Sequence, residues 1–197
     1  MTLADARDAS PEVDRDSDVR DLVRRGEMQA ALCRLMRRHG RPIYRYCCEQ
    51  LRDPELAADV HQQVFIAAFR DLEKFRGRGT LRSWLFGIAY HRVIDAARAR
   101  ARSLAWISVT EAAKVADPRP PVDQACDDER LHAALVAELA DLPAHVRSAI
   151  LLHYQQGMSF ESMARISGEK AGTLSARVMR AMPVLRERIE ARLRRPR

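Results

Sequence analysis

The sequence predicts an all-α protein in two small helical domains joined by a flexible linker, the second of them a helix-turn-helix domain. Three observations lead there. Apolar residues recur at spacings of three and four along most of the chain, and no stretch shows the alternation of a strand. That periodicity lapses between Ile107 and Arg130, where Pro118, Pro120, Pro121 and six acidic residues gather, a composition whose burial would not offset the entropy lost on ordering. Beyond the gap, Ala164, Gly168 and Leu174 keep the spacing of a helix-turn-helix: a small residue where two helices cross, a turn residue tolerant of positive φ, and the next buried contact. The expected division is an acidic flexible tail at 1–16, a first helical domain at 17–105, a linker at 106–129 and a helix-turn-helix domain at 130–197.

Taken in order, Val19, Leu22 and Val23, then Met28, Ala31, Leu32, Leu35 and Met36, follow the helical period from Ser17, with Gly26 a weak point and Gly40 a stop. A second helix opens at Pro42 and carries Ile43, Tyr46, Cys47 and Leu51. Asp53-Pro54 is an N-cap followed by proline in the first turn, where the missing amide has no partner to lose. The helix it starts runs to about Phe75. Gly77 and Gly79 then break the pattern, and Thr80 caps a helix from Leu81 to about Arg102. After the gap, order resumes with Leu131, Ala134, Leu135, Glu138 and Leu139. Pro143 begins a helix bearing Val146, Ile150 and Leu151 that ends at Gly157. Ser159 caps a short helix with Met163, Ala164 and Ile166, Ser167-Gly168 makes the turn, and the last helix carries Leu174, Val178, Ala181 and Leu185.

Charge and composition narrow the function. The formal net charge is +7 and the arginines cluster, at Arg76 to Arg102 and again from Arg177 to the C-terminus, while the opening segment is acidic from Asp5 to Asp21. Clustered arginine favours an acidic partner such as nucleic acid. No apolar run reaches the roughly 20 residues that span a bilayer, and the acidic start lacks the basic-then-apolar order of a signal peptide, so the expectation is a cytoplasmic protein with no membrane insertion. Cys33, Cys47, Cys48 and Cys126 form neither a C-x-x-C pair nor a spaced disulfide framework and are expected to be reduced, mostly buried filler. A redox or metal role, with His132 near Cys126, is the alternative. No residue group has the spacing of a catalytic dyad, metal centre or phosphate loop, so neither an enzyme nor a cofactor is expected.

Three segments carry chemistry. On the helix from Pro54, residues about 100° apart place Leu56, Val60, Val64 and Ala67 on one face and Asp59, Gln62, Ile66 and Phe69 on the other, with Phe65 beside them. That second stripe needs a cover, either a partner's helix or a further helix of the same domain. The loop after Phe75 joins Gly77 and Gly79 to Arg76, Arg78 and Arg82, and Trp84, Phe86 and Tyr90 follow. Arginine interleaved with aromatic rings suits single-stranded DNA, because every base has a π-face; a purely structural role for Trp84 is the competing reading. In the last helix, with Leu174 and Val178 inward, Thr173, Ala176, Arg177 and Arg180 project outward and Lys170 lies at its start. These are the positions that enter a major groove, where arginine reads guanine and a helix N-terminus meets phosphate.

Together the segments resemble the extracytoplasmic-function (ECF) group of sigma factors of bacterial RNA polymerase, which keep only regions two and four. The resemblance covers roughly Ala31 to Arg102 and Leu131 to Glu190. Ala58-Asp59-Val60-His61-Gln62-Gln63-Val64-Phe65 is similar to the group's Ala-Glu-Asp-x-x-Gln-x-x-Phe signature, Phe75-Arg76-Gly77 through Trp84-Leu85-Phe86-Gly87-Ile88-Ala89 to its minus-ten loop and helix, and Leu142-Pro143 through Arg180 to region four. The resemblance implies docking on the β′ clamp helices of core RNA polymerase through Asp59, Gln62, Gln63, Phe65 and Ile66, with the β flap as a further contact. It implies minus-ten recognition and melting by Phe75, Arg76, Gly77, Arg78, Arg82 and Trp84. For minus-thirty-five DNA it implies Lys170, Thr173, Ser175, Ala176, Arg177 and Arg180, and an anti-sigma factor is a further implied partner. His91 stands where asparagine is usual, Glu169 replaces an apolar residue after the turn glycine, and Ser175-Ala176 replaces a common Lys-Ser pair; the last two bear on promoter sequence and affinity. Outside the resemblance, the alternatives are a helix-turn-helix regulator that does not join polymerase and an interaction protein acting through its cysteines.

Overall fold

The computed structural model describes residues 16–77, 79–110 and 127–194, and every regular element among them is helical. The N-terminal set is α1 (Ser17–Arg24), α2 (Met28–Leu51), α3 (Pro54–Asp71) and α4 (Leu81–Thr110), with a 3-10 turn over Leu72–Lys74 between the last two. The C-terminal set is α5 (Asp127–Ala140), α6 (Ala144–Ile150), a π-helical turn over Leu151–Gln155, α7 (Phe160–Ser167) and α8 (Ala171–Arg194).

Local sequence accounts for most of the boundaries. The Asp53 carboxylate accepts from the Leu56 amide at 3.1 Å, and the Thr80 hydroxyl accepts from the Ser83 amide at 3.0 Å. Ser159 does the same for Ser162 at 3.2 Å, so three helix starts are side-chain capped as their sequences imply. Gly168 ends α7 with φ of 74°, a left-handed conformation that costs a side chain and not a glycine. The helices α1 to α4 and the 3-10 turn pack Val19, Leu35, Ile43, Val60, Val64, Leu72, Leu85, Phe86 and Val93 into the interior.

Three features differ from the expected elements. First, α2 does not stop at Gly40 or restart at Pro42; it runs unbroken for 24 residues with Pro42 inside it. Proline there removes one backbone donor, a cost of about 3 kcal/mol in an isolated helix. Tertiary packing offsets it: Gly40, Ile43, Tyr46 and Cys47 around the proline are all buried. Second, α4 continues to Thr110 and α5 begins at Asp127, so helix enters both ends of the segment expected as linker. The rest of that linker, with the acidic tail up to residue 15, lies outside the described residues. Third, the helix after Pro143 changes to a π turn, in which the Gln156 amide bonds the Leu151 carbonyl five residues back at 3.1 Å.

The buried residues of both sets form one contiguous cluster. Tyr46 of α2 lies at its centre, its ring edge-on to Phe86 of α4 with centroids 5.8 Å apart, and its hydroxyl shares a 3.0 Å hydrogen bond with Ser148 of α6.

At the other end, α1 is fastened to α2 by charge. Buried Asp16 accepts from His39 Nε2 at 3.0 Å and pairs with Arg38, which also reaches Asp18 at 3.1 Å. Burial would raise the Asp16 pKa, but hydrogen bonds from His39 and Arg38 and their charges outweigh it and hold the carboxyl below its usual range. A carboxyl depressed on folding stabilises the native state above its unfolded pKa and loses that contribution as pH falls through the folded value. Asp16→Asn is therefore expected to lower stability at neutral pH by about 1–3 kcal/mol, the cost of buried partners left unsatisfied. It should also flatten the stability loss below about pH 4, near the ordinary Asp value. Urea melts of both proteins from pH 7 to pH 3 check this; parallel curves would remove Asp16 from the acid response.

Candidate nucleic-acid and polymerase interfaces

The first candidate surface lies on α3. Its inward stripe is as the periodicity requires, with Val60, Val64 and Ala67 buried and Leu56 half-buried. On the opposite side Asp59, Gln62 and Gln63 are exposed, and so are two large apolar side chains, Ile66 at 62% and Phe69 at 46%. Among the described residues no further helix covers this face. Phe65, expected to belong to it, is instead buried, with its ring against His61 at 5.1 Å. It supports the helix from inside and cannot meet a partner without unpacking the core. Burial also lowers the His61 pKa against the opposing effect of its bond to Gly40, which favours the neutral ring in this packed position.

The second surface is the loop before α4 and the start of that helix. Arg76 and Gly77 are exposed, Gly77 with φ of 72°, while Arg78 lies outside the described residues. Half-buried Phe75 and Trp84 pack together, ring centroids 5.5 Å apart. Phe86, expected to offer a face to bases, is fully buried. Its ring carries the Arg82 guanidinium at 5.2 Å. Tyr90 is half-buried, and burial raises its pKa, followed by the nearby Glu169 charge. Stacking surface at this end of α4 thus reduces to Phe75 and Trp84.

The third surface is the helix-turn-helix itself, α7, the Gly168 turn and α8. Leu174 and Val178 are buried as the motif requires. Lys170, Thr173, Ala176 and Arg180 are exposed, and Ser175 is half-buried. Arg177 is different. Its guanidinium is paired with both carboxylate oxygens of Glu169, one contact being 2.9 Å, and only 20% of its side chain is exposed. The hydrogen bond from Arg177 holds the Glu169 carboxyl below the usual range, against burial that would raise it. Glu169, which the sequence marked only as a departure from an apolar position, is therefore part of this surface through its hold on Arg177.

The C-terminal helices do not stand apart from α4. Arg82 Nη2 donates to the Gln156 carbonyl at 2.6 Å and to its side-chain oxygen at 3.1 Å. His91 Nε2 donates to the Ile166 carbonyl at 2.8 Å, and Gln155 Nε2 donates to both Glu49 oxygens at 2.6 and 2.7 Å. None of these contacts has a periodic signature, because each joins positions more than seventy residues apart.

Of the cysteines, Cys33 is exposed, Cys48 half-buried and Cys47 buried. Burial pushes the Cys47 thiol up to about 12, which suppresses the thiolate that redox and metal chemistry need. Cys126 lies outside the described residues. Among the described residues no group of His, Cys, Asp or Glu could hold a metal ion, and no helix is long and apolar enough to cross a membrane.

Comparison with known proteins matches residues 35–103 to the family model for sigma-70 region 2 and residues 132–182 to that for sigma-70 region 4. The ECF RNA polymerase sigma factor SigE of Mycolicibacterium smegmatis is 31% identical over 153 residues, which make up 78% of this chain and 59% of that relative. SigD of Mycobacterium tuberculosis H37Rv, also an ECF RNA polymerase sigma factor, is 32% identical over 158 residues, 77% of this chain and 74% of the relative. Among solved structures, the sigma factor RpoE in complex with the anti-sigma factor NepR from Bartonella quintana shares the fold, with a TM-score of 0.63 at 24% identity over 83% of this chain and 97% of that one. Two matched regions in this order, on a helical frame with an uncovered α3 face and a helix-turn-helix, place the chain in the family of ECF RNA polymerase sigma factors.

Proposed function

We propose that this sigma factor joins core RNA polymerase through the outward face of α3, holds the melted minus-ten strand with the Phe75 to Trp84 segment, and reads minus-thirty-five duplex with α8. The observation that carries the docking role is the α3 face: two large exposed apolar side chains among exposed amides and a carboxylate, with no cover from the described residues. A helix-turn-helix regulator working alone has no use for such a face. Fully desolvated apolar anchors surrounded by polar groups are how protein interfaces concentrate affinity. The subunit itself supplies no bond-making chemistry; initiation by it is binding and strand separation. An anti-sigma factor, as in the complex of the Bartonella relative, would inhibit it by covering these surfaces.

In vitro transcription with purified core polymerase on a promoter library tests the reading as a whole. Activity of the polymerase only when this chain is added supports it, whereas duplex binding with no transcription would leave a free-standing regulator.

The α3 face makes a sharper prediction. Phe69→Ala and Asp59→Arg should each weaken core binding by about tenfold or more, the effect of losing a hot-spot residue, with duplex DNA binding by the full chain unchanged. Titration against labelled core polymerase reads the first quantity and a gel shift the second. Equal core affinity for both variants and wild type removes the docking role.

For the loop, Arg76→Ala should reduce open-complex formation on a duplex promoter more than binding to a pre-melted bubble, since Phe75 and Trp84 would still stack at about 1–3 kcal/mol per base. Equal losses on both templates would point to simple charge neutralisation.

On α8, Arg180→Ala should cost roughly 1–3 kcal/mol and relax preference at one base position if the arginine pairs with a guanine. A loss common to all sequences, with a shallower salt dependence, would assign it to phosphate. Selection from randomised minus-thirty-five DNA separates the two.

A further inference from the structure

The turn of the helix-turn-helix puts a carboxylate where the reading helix needs its arginine. Gly168, at φ of 74°, leads the chain out of α7, and the Glu169 amide donates to the Ser167 hydroxyl at 3.2 Å, so the backbone carrying that carboxylate is held in one place. Arg177 lies four residues beyond Thr173 and hence on the same face of α8. Its Nη1 donates to one Glu169 oxygen at 2.9 Å and its Nη2 to the other. A guanidinium presents its donors as a planar fork. Here the fork is closed on a carboxylate through two parallel charge-assisted bonds, the strongest arrangement open to it.

The pair is largely enclosed, with 20% of the arginine side chain and 30% of the glutamate side chain exposed. Their mutual hydrogen bonds, the largest cause for each, raise the Arg177 pKa and lower that of Glu169 against the opposing effect of burial, and Tyr90 adds to the first shift as His145 adds to the second. Arg180 is held differently: it is exposed and bonds the Ala176 carbonyl of its own helix through Nε at 3.1 Å, a neutral acceptor. To read a guanine, Arg177 must exchange two anionic oxygens for the neutral acceptors O6 and N7. It must also leave a partly enclosed carboxylate bare before the phosphates of the duplex. Both changes are unfavourable, because bonds to ionised acceptors are about twice as strong as bonds to neutral ones and like charges opposed across an interface suppress binding. Glu169 also stands just before α8 begins at Ala171, at the helix end whose partial positive charge favours an anion, and there it competes with phosphate.

We infer that Glu169 is a specificity-determining residue that withholds Arg177 from the major groove, so that minus-thirty-five bases are read by the exposed residues of α8 without it. The inference rests on the sigma-factor reading for the DNA element concerned. It reverses the expectation from sequence, in which Arg177 and Arg180 share the groove. Glu169 meets no base in this arrangement and acts through Arg177 alone. Specificity is a difference between affinities, and a carboxylate that occupies an arginine removes one guanine contact from that difference.

Base preference is the quantity to measure, because removing either charge alone also changes affinity for every sequence. The full chain is assembled with core polymerase and transcribes a promoter library randomised across the minus-thirty-five element, as wild type, Arg177→Ala, Glu169→Gln and the double variant. Arg177→Ala is expected to be weaker on all sequences, since it leaves Glu169 unpaired, yet to keep the wild-type preference at every position. Glu169→Gln keeps the shape and loses the charge. It should gain a preference for guanine of about fivefold or more at one position, the low end for one bidentate contact, and the double variant should lose that gain.

Relaxed preference at one position in Arg177→Ala overturns the inference, because Arg177 would then read a base with Glu169 behind it. A guanine gain that persists in the double variant overturns it as well, by assigning the effect to lost repulsion. Since a glutamine can still accept from Arg177, Glu169→Leu is made in parallel, alone and with Arg177→Ala. A guanine gain in either Glu169 variant that disappears with Arg177→Ala supports the inference, and unchanged preference in both overturns it. A wild-type chain that drives no transcription from any member of the library would count against the sigma-factor reading and remove this inference with it.

Discussion

Tyr46 is the joint on which the arrangement depends. Its ring is fully buried between α2 and α4, and a buried phenol needs a hydrogen-bond partner. It finds one in Ser148, 102 positions along the chain. Burial, the largest influence, drives the phenol pKa up, so the group stays neutral and the joint is indifferent to pH in the ordinary range. The commitment of Phe86 to this joint has a price at the surface. An aromatic ring near the start of α4 is committed to the core, which leaves Phe75 and Trp84 as the half-buried ring pair at that end.

Net charge tells less about nucleic acid than its distribution suggests. Many arginines that make the chain basic are engaged inside the fold: Arg38 with Asp16 and Asp18, Arg100 with the Leu51 carbonyl, Arg177 with Glu169 and Arg192 with Glu138. Those pairs hold α1 on α2, α4 on the end of α2, the turn on α8, and α8 on α5. The cations exposed on the candidate surfaces are fewer, Arg76, Lys170 and Arg180 among them. Clustering in sequence marks where phosphate contact can occur, but the structure assigns part of each cluster to packing.

What could be read from sequence was local or periodic. The caps at Asp53, Thr80 and Ser159, the left-handed turn at Gly168 and the two faces of α3 each follow from residues within a turn or two of one another, and each is present as expected. The continuous α2 was not legible, because Gly40 and Pro42 are helix breakers by propensity, and the compensation comes from burial against other helices. Phe65 and Phe86 were placed outward because an aromatic ring at the edge of a helical stripe can face either way until its neighbours are known. The Glu169 to Arg177 pair and the seam on α4 were hidden for a related reason: both are settled by geometry between elements, on which spacing within an element is silent.

The π turn over Leu151–Gln155 carries a consequence for how such a protein can change. A π turn holds one residue more than an α turn of the same length, and each residue of an α-helix accounts for about 100° of rotation. Loss of one residue there would let the segment relax to regular α-helix while the elements on either side keep their orientation. The helix-turn-helix downstream would keep its own sequence and its own fold. The extra residue is thus a place where the chain can shorten without carrying the helix-turn-helix to a new position.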